Sequence, residues 1–125
     1  MKYNKSYEDL VVWQKAVDLA EKIYANTNNF PKSEIYGITS QIRRSSVSIA
    51  SNIAEGCARS SNKDFARFIF IALGSAAELK TQYIIAKRIG YVDDNFYKII
   101  NDFLIEIERM LHGLRKSLLK TETVN

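Results

Sequence analysis

QIRRSSVSIASNIAEG, residues 41–56, decides how the rest of the chain is read. Two arginines lead into Ser, Val, Ala, Ile and Asn, with no Leu, no aromatic and no further charge before Glu55. At about 100° per residue, Ile35, Ile38, Ile42, Ser46, Ile49 and Ile53 form one stripe, the expected core face of a helix. A second stripe about a quarter-turn away holds Arg43, Val47, Ala50, Ala54 and Cys57. The remaining side carries Gln41, Arg44, Ser45, Ser48, Ser51, Asn52 and Glu55, short polar residues where a solvated helix ordinarily carries Lys and Glu. Small residues let a neighbouring backbone approach closely, and short polar groups can bond a close neighbour. A helix wanted on more than one side sits between several others.

The flanking segments supply those others. A two-faced helix is expected over about 7–27, with Ser6 as N-cap and Asp9 three residues on. Val12, Trp13, Ala16, Leu19, Ala20, Ile23, Tyr24 and Thr27 share its apolar side. NTNNFP (26–31) breaks the pattern, because Pro31 keeps Phe30 out of the α region. The second helix is expected over about 33–55, capped by Ser33 and ended by Gly56. Ser61 and Asp64 repeat the capping spacing and open a third, about 62–89, which Gly90 ends. Asp93 or Asp94 starts a fourth, about 95–119, leaving 120–125 as a frayed tail. Its stripe is Phe96, Ile99, Ile100, Phe103, Ile107, Met110, Leu111, Leu114 and Leu118. No segment alternates with period two over a strand length. The connections suit antiparallel neighbours, so the reading is all-α: a single domain, 1–125, folded as an up-down-up-down four-helix bundle.

Bulk properties agree with that reading and narrow the chemistry. A 125-residue chain, 46% hydrophobic with one Pro, can bury a core without staples. The single cysteine, Cys57, excludes an intrachain disulfide and any multi-Cys zinc site. With no apolar leader and no uninterrupted apolar run of spanning length, the expectation is a soluble, cytoplasmic protein without a membrane partner. His112 is the only histidine, and Glu108-His112 lacks the Glu-x-x-His spacing of dimetal bundles. Cys57 follows a helix C-terminus, where the dipole disfavours a thiolate. Ser45, Ser46, Ser48 and Ser51 have no histidine partner, and no phosphate-binding glycine loop is present. No catalytic residue, metal site or cofactor is expected; the reading is that the protein is not an enzyme.

Two features remain, one apolar and one basic. On the third helix Phe65, Ile69, Ala72, Ala76, Leu79 and Tyr83 form the core stripe, yet Phe70, Ile71 and Ile85 point away from it. Several such residues on one helix indicate a second packing surface, and hence self-association. The alternative is a wide core within one chain. The basic feature is the net charge of +4, with Arg59, Lys63 and Arg67 recurring every four residues. Lys87 and Arg88 end the third helix, and Arg115 and Lys116 lie near the end of the fourth. Cations so placed can contact phosphate oxygens without reading sequence. They can equally form a solvated face, with Arg59 paired to Glu55 and the helix-end cations matching the macrodipole. Arg43 and Arg44 are read as bidentate partners for an acid such as Glu55 or Glu78 at a helix–helix contact, with phosphate contact as the other possibility.

DLVVWQKAVDLA (9–20), FPKSEIYGITSQIRRSSVSIASNIAEG (30–56) and IALGSAAEL (71–79) resemble the 23S rRNA intervening-sequence proteins, in order and spacing, over roughly residues 7–119. Members of that family are encoded in insertions within 23S rRNA genes and elsewhere in bacterial genomes. The resemblance implies a four-helix bundle assembled into a homo-oligomeric ring, with the pentamer as its form, and an association with structured RNA. It supplies no catalytic residues. The accessory variability proteins of diversity-generating retroelements are similar in fold, and there a basic pentamer binds nucleic acid and a reverse transcriptase. Two functions follow as expectations: an RNA-binding ring, or a protein-interaction scaffold for a partner such as a reverse transcriptase. On either, the motif at 41–56, with Arg43, Arg44, Val47, Ala50, Ala54 and Glu55, serves packing or assembly.

Overall fold

In the computed structural model, residues 6–123 are described, with side chains to residue 120. Four helices, α1 (Val11–Thr27), α2 (Ile38–Cys57), α3 (Asn62–Arg88) and α4 (Asp94–Thr123), are joined by short connections, and no strand occurs among the described residues. Each helix packs on the next in chain order and α4 closes back onto α1. Contacts across the seams run in opposite directions. Lys15 reaches Glu106 at 2.8 Å while Lys22 lies over the Phe103 ring, and Lys80 reaches Glu108 while Lys87 reaches Asp94. The fold is an antiparallel four-helix bundle.

The core is the set of stripes facing the bundle axis. Ala16, Leu19, Ile23, Ile42, Ile49, Ile53, Ile69, Ala72, Leu79, Ile100 and Ile107 are fully buried. Leu104, which the expected stripe of the fourth helix left out, is 1% exposed, whereas Ile99 on its margin is 40% exposed. At one end the α1–α2 and α3–α4 connections are held together by aromatic rings. Phe30 meets Tyr91 at 5.4 Å, Tyr83 stacks on Tyr97 at 6.0 Å, and the Tyr83 hydroxyl donates to Asn26 Oδ1 at 2.9 Å. Burial, reinforced by nearby Asp93, pushes the Tyr83 phenol pKa well above its ordinary value.

The helix ends differ from the expectations in places, each for a local reason. Ser6 does act as a cap, accepting from the Glu8 amide, but of a 3-10 turn over Tyr7–Asp9; extended Leu10 separates that turn from α1. Ser33 does not cap α2. Pro31 leads into a second 3-10 turn, Lys32–Glu34, and Gly37 at φ −108°, ψ −123° breaks the chain, so α2 starts at Ile38. Ile35 therefore precedes the helix and is 46% exposed instead of lying in the core. Gly56 does not terminate α2 either. It lies inside the last turn, buried, and a β-carbon there would sit 2.6 Å from Phe68 Cβ and 2.9 Å from Phe65 Cδ1. Its role is to let α3 pass close. Gly90, by contrast, does end α3: at φ +90° it takes the left-handed conformation. Its amide bonds the Lys87 carbonyl and that of Tyr91 bonds Ala86, a Schellman turn. Ser61 caps α3 through the Asp64 amide, and Asp93 caps α4 through the Phe96 amide. α4 continues to Thr123, so residues 120–123 of the expected frayed tail are helical and 124–125 lie outside the described residues.

Candidate functional site

The serine side of α2 faces α3 and is bonded to it. Ser45 is 2% exposed; its hydroxyl donates to the Ile42 carbonyl and to Gln82 Oε1 at 2.8 Å. Ser48 and Ser75 share a hydrogen bond of 2.8 Å, and Asn52 donates to the Ser48 carbonyl and hydroxyl. Short polar residues on this face are thus a satisfied seam between helices. Gln82 and Ser75 were missed in the sequence because each is an ordinary polar residue until its partner's position is known.

The arginine pair splits into two roles. Arg43 does not pair with an acid. It crosses to the end of α1, donating from Nε to Thr27 Oγ1 at 2.9 Å and from Nη2 to Asn28 Oδ1 at 3.0 Å, with its guanidinium 4.7 Å from the Tyr24 ring centroid. The helix C-terminus there attracts a cation, which explains why no carboxylate is needed. Arg44 is exposed and makes no hydrogen bond or ion pair among the described residues. Glu55 pairs with Arg59, one turn on, at 3.1 Å.

Val47, Ala50 and Ala54 form the floor of an open groove along the α1–α2 seam, about 620 Å³ in volume, walled by Trp13, Val17 and Tyr24. Tyr7 closes one end, edge-on to Trp13 at 5.1 Å. The groove runs on into a depression lined by Tyr24, Ile35, Arg43 and Arg44. Trp13 and Tyr24, placed in sequence on the apolar side of the first helix, flank it: Trp13 half-buried against the core, Tyr24 exposed. On the far side of the bundle Phe70 is 61% exposed, Ile71 40% and Ile85 45%, all on the outer surface of α3.

The basic residues fall into two groups at opposite ends of α3. Arg59, Lys63 and Arg67 gather at the α2–α3 corner, beside a concavity of about 390 Å³ that Lys63 and Arg67 line with Ser60, Ser61 and Asp64. Arg67 bonds Asp64 at 3.0 Å, and the Arg59 and Arg67 guanidinium groups both lie about 4.5 Å from the Phe68 ring. Arg115 comes to the same end, its guanidinium 5.0 Å from the Phe70 ring, and Lys116 beside it is exposed. Lys87 and Arg88 lie about 30 Å away along the helix. There Lys87 is partly neutralised by Asp94 at 3.5 Å and lies over Tyr97. The corner and the far end therefore cannot form one patch on one chain.

No group of three or more His, Cys, Asp or Glu side chains gathers as a metal site among the described residues. His112 is exposed, and Glu108 is engaged by Lys80 at 3.2 Å. Cys57 is half-buried and packed on the core.

Among curated proteins, none matches this chain. A solved protein of unknown function from Bacteroides thetaiotaomicron, from the S23 ribosomal protein family, superposes with a TM-score of 0.76 at 30% identity. The match covers 85% of this chain and 99% of that one. The sequence profile of the 23S rRNA-intervening sequence proteins matches residues 8–113, a span that takes in all of α1, α2 and α3 and two-thirds of α4. This chain belongs to the 23S rRNA-intervening sequence protein family.

Proposed function

We propose that the protein is a non-enzymatic, homo-oligomeric bundle that binds rRNA-related structured RNA through sequence-blind contacts to phosphates. The observation that carries the reading is the basic corner, where Lys63 and Arg67 line a concavity with Ser60 and Ser61. There Arg59 and Arg67 share the Phe68 ring, and Arg115 reaches the same end of α3 at Phe70, next to exposed Lys116. Ion pairs such as Arg59–Glu55 and Arg67–Asp64 are exposed, and pairs of that kind contribute little, so phosphate oxygens can replace the carboxylates at small cost. Assembly strengthens the field. Each copy carries +4, so a ring of five, the form the family resemblance implies, carries about +20 and repeats the corner at every subunit. Membership of a family named for 23S rRNA supports RNA over DNA.

The test is binding of the purified protein to a 23S rRNA helix fragment, a matched DNA duplex and heparin across a salt series, with mass recorded on the same sample. Tighter binding of RNA than DNA, weakening with salt while the preference persists, is the expected result. Lys63→Glu with Arg67→Glu should lower the slope of log affinity against log salt by about two, with the mass unchanged. An intact oligomer that binds none of the three at moderate salt would overturn the reading in favour of a scaffold for a protein partner.

A further inference from the structure

The outer surface of α3 is unlike a solvated helix face. From Phe70 to Ile85, about 22 Å of helix, it presents Phe70, Ile71, Gly74, Ala77, Thr81 and Ile85, all exposed. Thr81 has turned its hydroxyl onto its own Ala77 carbonyl at 2.9 Å. Glu78 lies on the face and makes no hydrogen bond or ion pair among the described residues, and the Arg115 guanidinium lies over the Phe70 ring at 5.0 Å. This surface, together with the buried one behind it, makes α3 long and apolar enough to pass for a membrane span by length and composition. The buried side is nevertheless occupied by α2 and α4.

The α1–α2 groove has complementary properties. It is concave, lined by Trp13, Val47, Ala50 and Ala54, and opens beside Arg44. Arg44 is the mirror case of Glu78: an exposed guanidinium with no hydrogen-bond or ion-pair partner among the described residues. Arg43 beside it is already committed to Thr27 and Asn28. Because the helices pack in ring order, the α1–α2 seam and the outer face of α3 lie on different sides of the bundle. One copy can therefore offer a groove to one neighbour and a ridge to another.

We infer that the α3 outer face of one copy seats in the α1–α2 groove of the next, with Glu78 on the first meeting Arg44 on the second. The inference rests on the homo-oligomeric reading above and specifies its interface. A second copy is the occupant because ridge and groove share apolar character and because Glu78 on the one and Arg44 beside the other, each without a partner among the described residues, are opposite in sign. The groove also holds the exposed carboxylate of Glu21, and the Phe70 end of the ridge the Arg115 guanidinium. A carboxylate and a guanidinium make the bidentate pair that fixes register as well as attraction. The contact is heterologous, the same chain using two different patches, so it propagates head to tail and closes into a ring where the rotation allows.

Two exposed substitutions test this on the full chain, each variant checked for native helicity by circular dichroism. Phe70→Glu spoils the ridge and keeps the groove; Val47→Glu spoils the groove and keeps the ridge. Each alone should be monomeric by light scattering, while an equimolar mixture should give a heterodimer and nothing larger. Glu78→Arg and Arg44→Glu should each weaken assembly at least tenfold, and the double swap should restore it. A wild-type chain that is monomeric at every concentration overturns the oligomeric reading itself. An oligomeric wild type whose variants still assemble, or whose two blocked variants do not pair, overturns this interface alone. A monomer whose Phe70-dependent partner is a phosphatidylglycerol-containing vesicle overturns it in favour of a lipid surface.

Discussion

Gly56→Ala is a demanding probe of the α2–α3 corner, because two opposing effects can be weighed. Inside an exposed helix the change removes backbone freedom from the unfolded chain and stabilises by up to about 1 kcal/mol. At Gly56 the added methyl would sit 2.6 Å from Phe68 Cβ, 2.9 Å from Phe65 Cδ1 and 3.2 Å from the Phe65 carbonyl oxygen. Carbon atoms pack comfortably at about 3.5–4.0 Å. Phe68 Cβ is fixed to the α3 backbone and cannot swing aside, so the start of α3 has to move by about an ångström. Overpacking of that kind costs about 1–3 kcal/mol, and this contact belongs at the upper end. The net expectation is a loss of about 2 kcal/mol, or roughly 8 °C in melting temperature for a chain of this length. Gly113→Ala is the matched control, since a β-carbon there meets nothing within 4 Å, and it should raise the melting temperature by a few degrees. Thermal melts followed by circular dichroism at one fixed protein concentration separate the two, fixed because self-association makes melting concentration-dependent. If Gly56→Ala melts at or above the parent, the close approach of α3 to α2 is wrong.

Two further outcomes bear on the core and on the aromatic end of the bundle. Leu104→Ala, at a position 1% exposed, should cost about 2–5 kcal/mol in urea unfolding, while Ile105→Ala next to it, 40% exposed, should cost much less; equal losses would misplace the α4 stripe. The Tyr91 hydroxyl donates to Glu34 Oε2 at 2.9 Å, and that bond, followed by desolvation and the Glu34 charge, raises its pKa above the ordinary 10.0. Stability from this neutral phenol is complete below pH 10.0 and is lost as pH rises through the higher folded value, so Tyr91→Phe should flatten the alkaline side of a stability–pH curve.

The parts legible in the sequence were those set by periodicity and by capping chemistry. The buried stripe of α3 needs only apolar spacing, and Ser61, Asp93 and Gly90 carry their geometry in their own side chains or in the lack of one. The parts misread depended on a neighbour. Gly56 looks like a helix stop until Phe68 is seen against it, and Arg43 looks like half of an ion pair until Thr27 and Asn28 are found at the end of α1. Ser33 has the right chemistry for a cap, but Gly37 breaks the chain after it. For the candidate site, the exposure of Phe70, Ile71 and Ile85 could be read from angular position. The groove opposite could not, since a concavity is a property of two helices and their separation.

The hydroxyl seam between α2 and α3 also governs how the bundle can move. Apolar helices can slide past one another in steps of a turn, about 5.4 Å, because one Leu resembles the next. Here a step would strip Ser45 from Gln82 and Ser48 from Ser75, leaving the nearly buried Ser75 hydroxyl and the half-buried Gln82 amide without those partners. A buried group left unpaired costs about 1–3 kcal/mol, so the slide is disfavoured for this pair of helices. α2 and α3 then act as a single stiff lever. Displacement at the basic corner would reach the aromatic end, some 30 Å off, as a tilt of the whole pair rather than as axial creep.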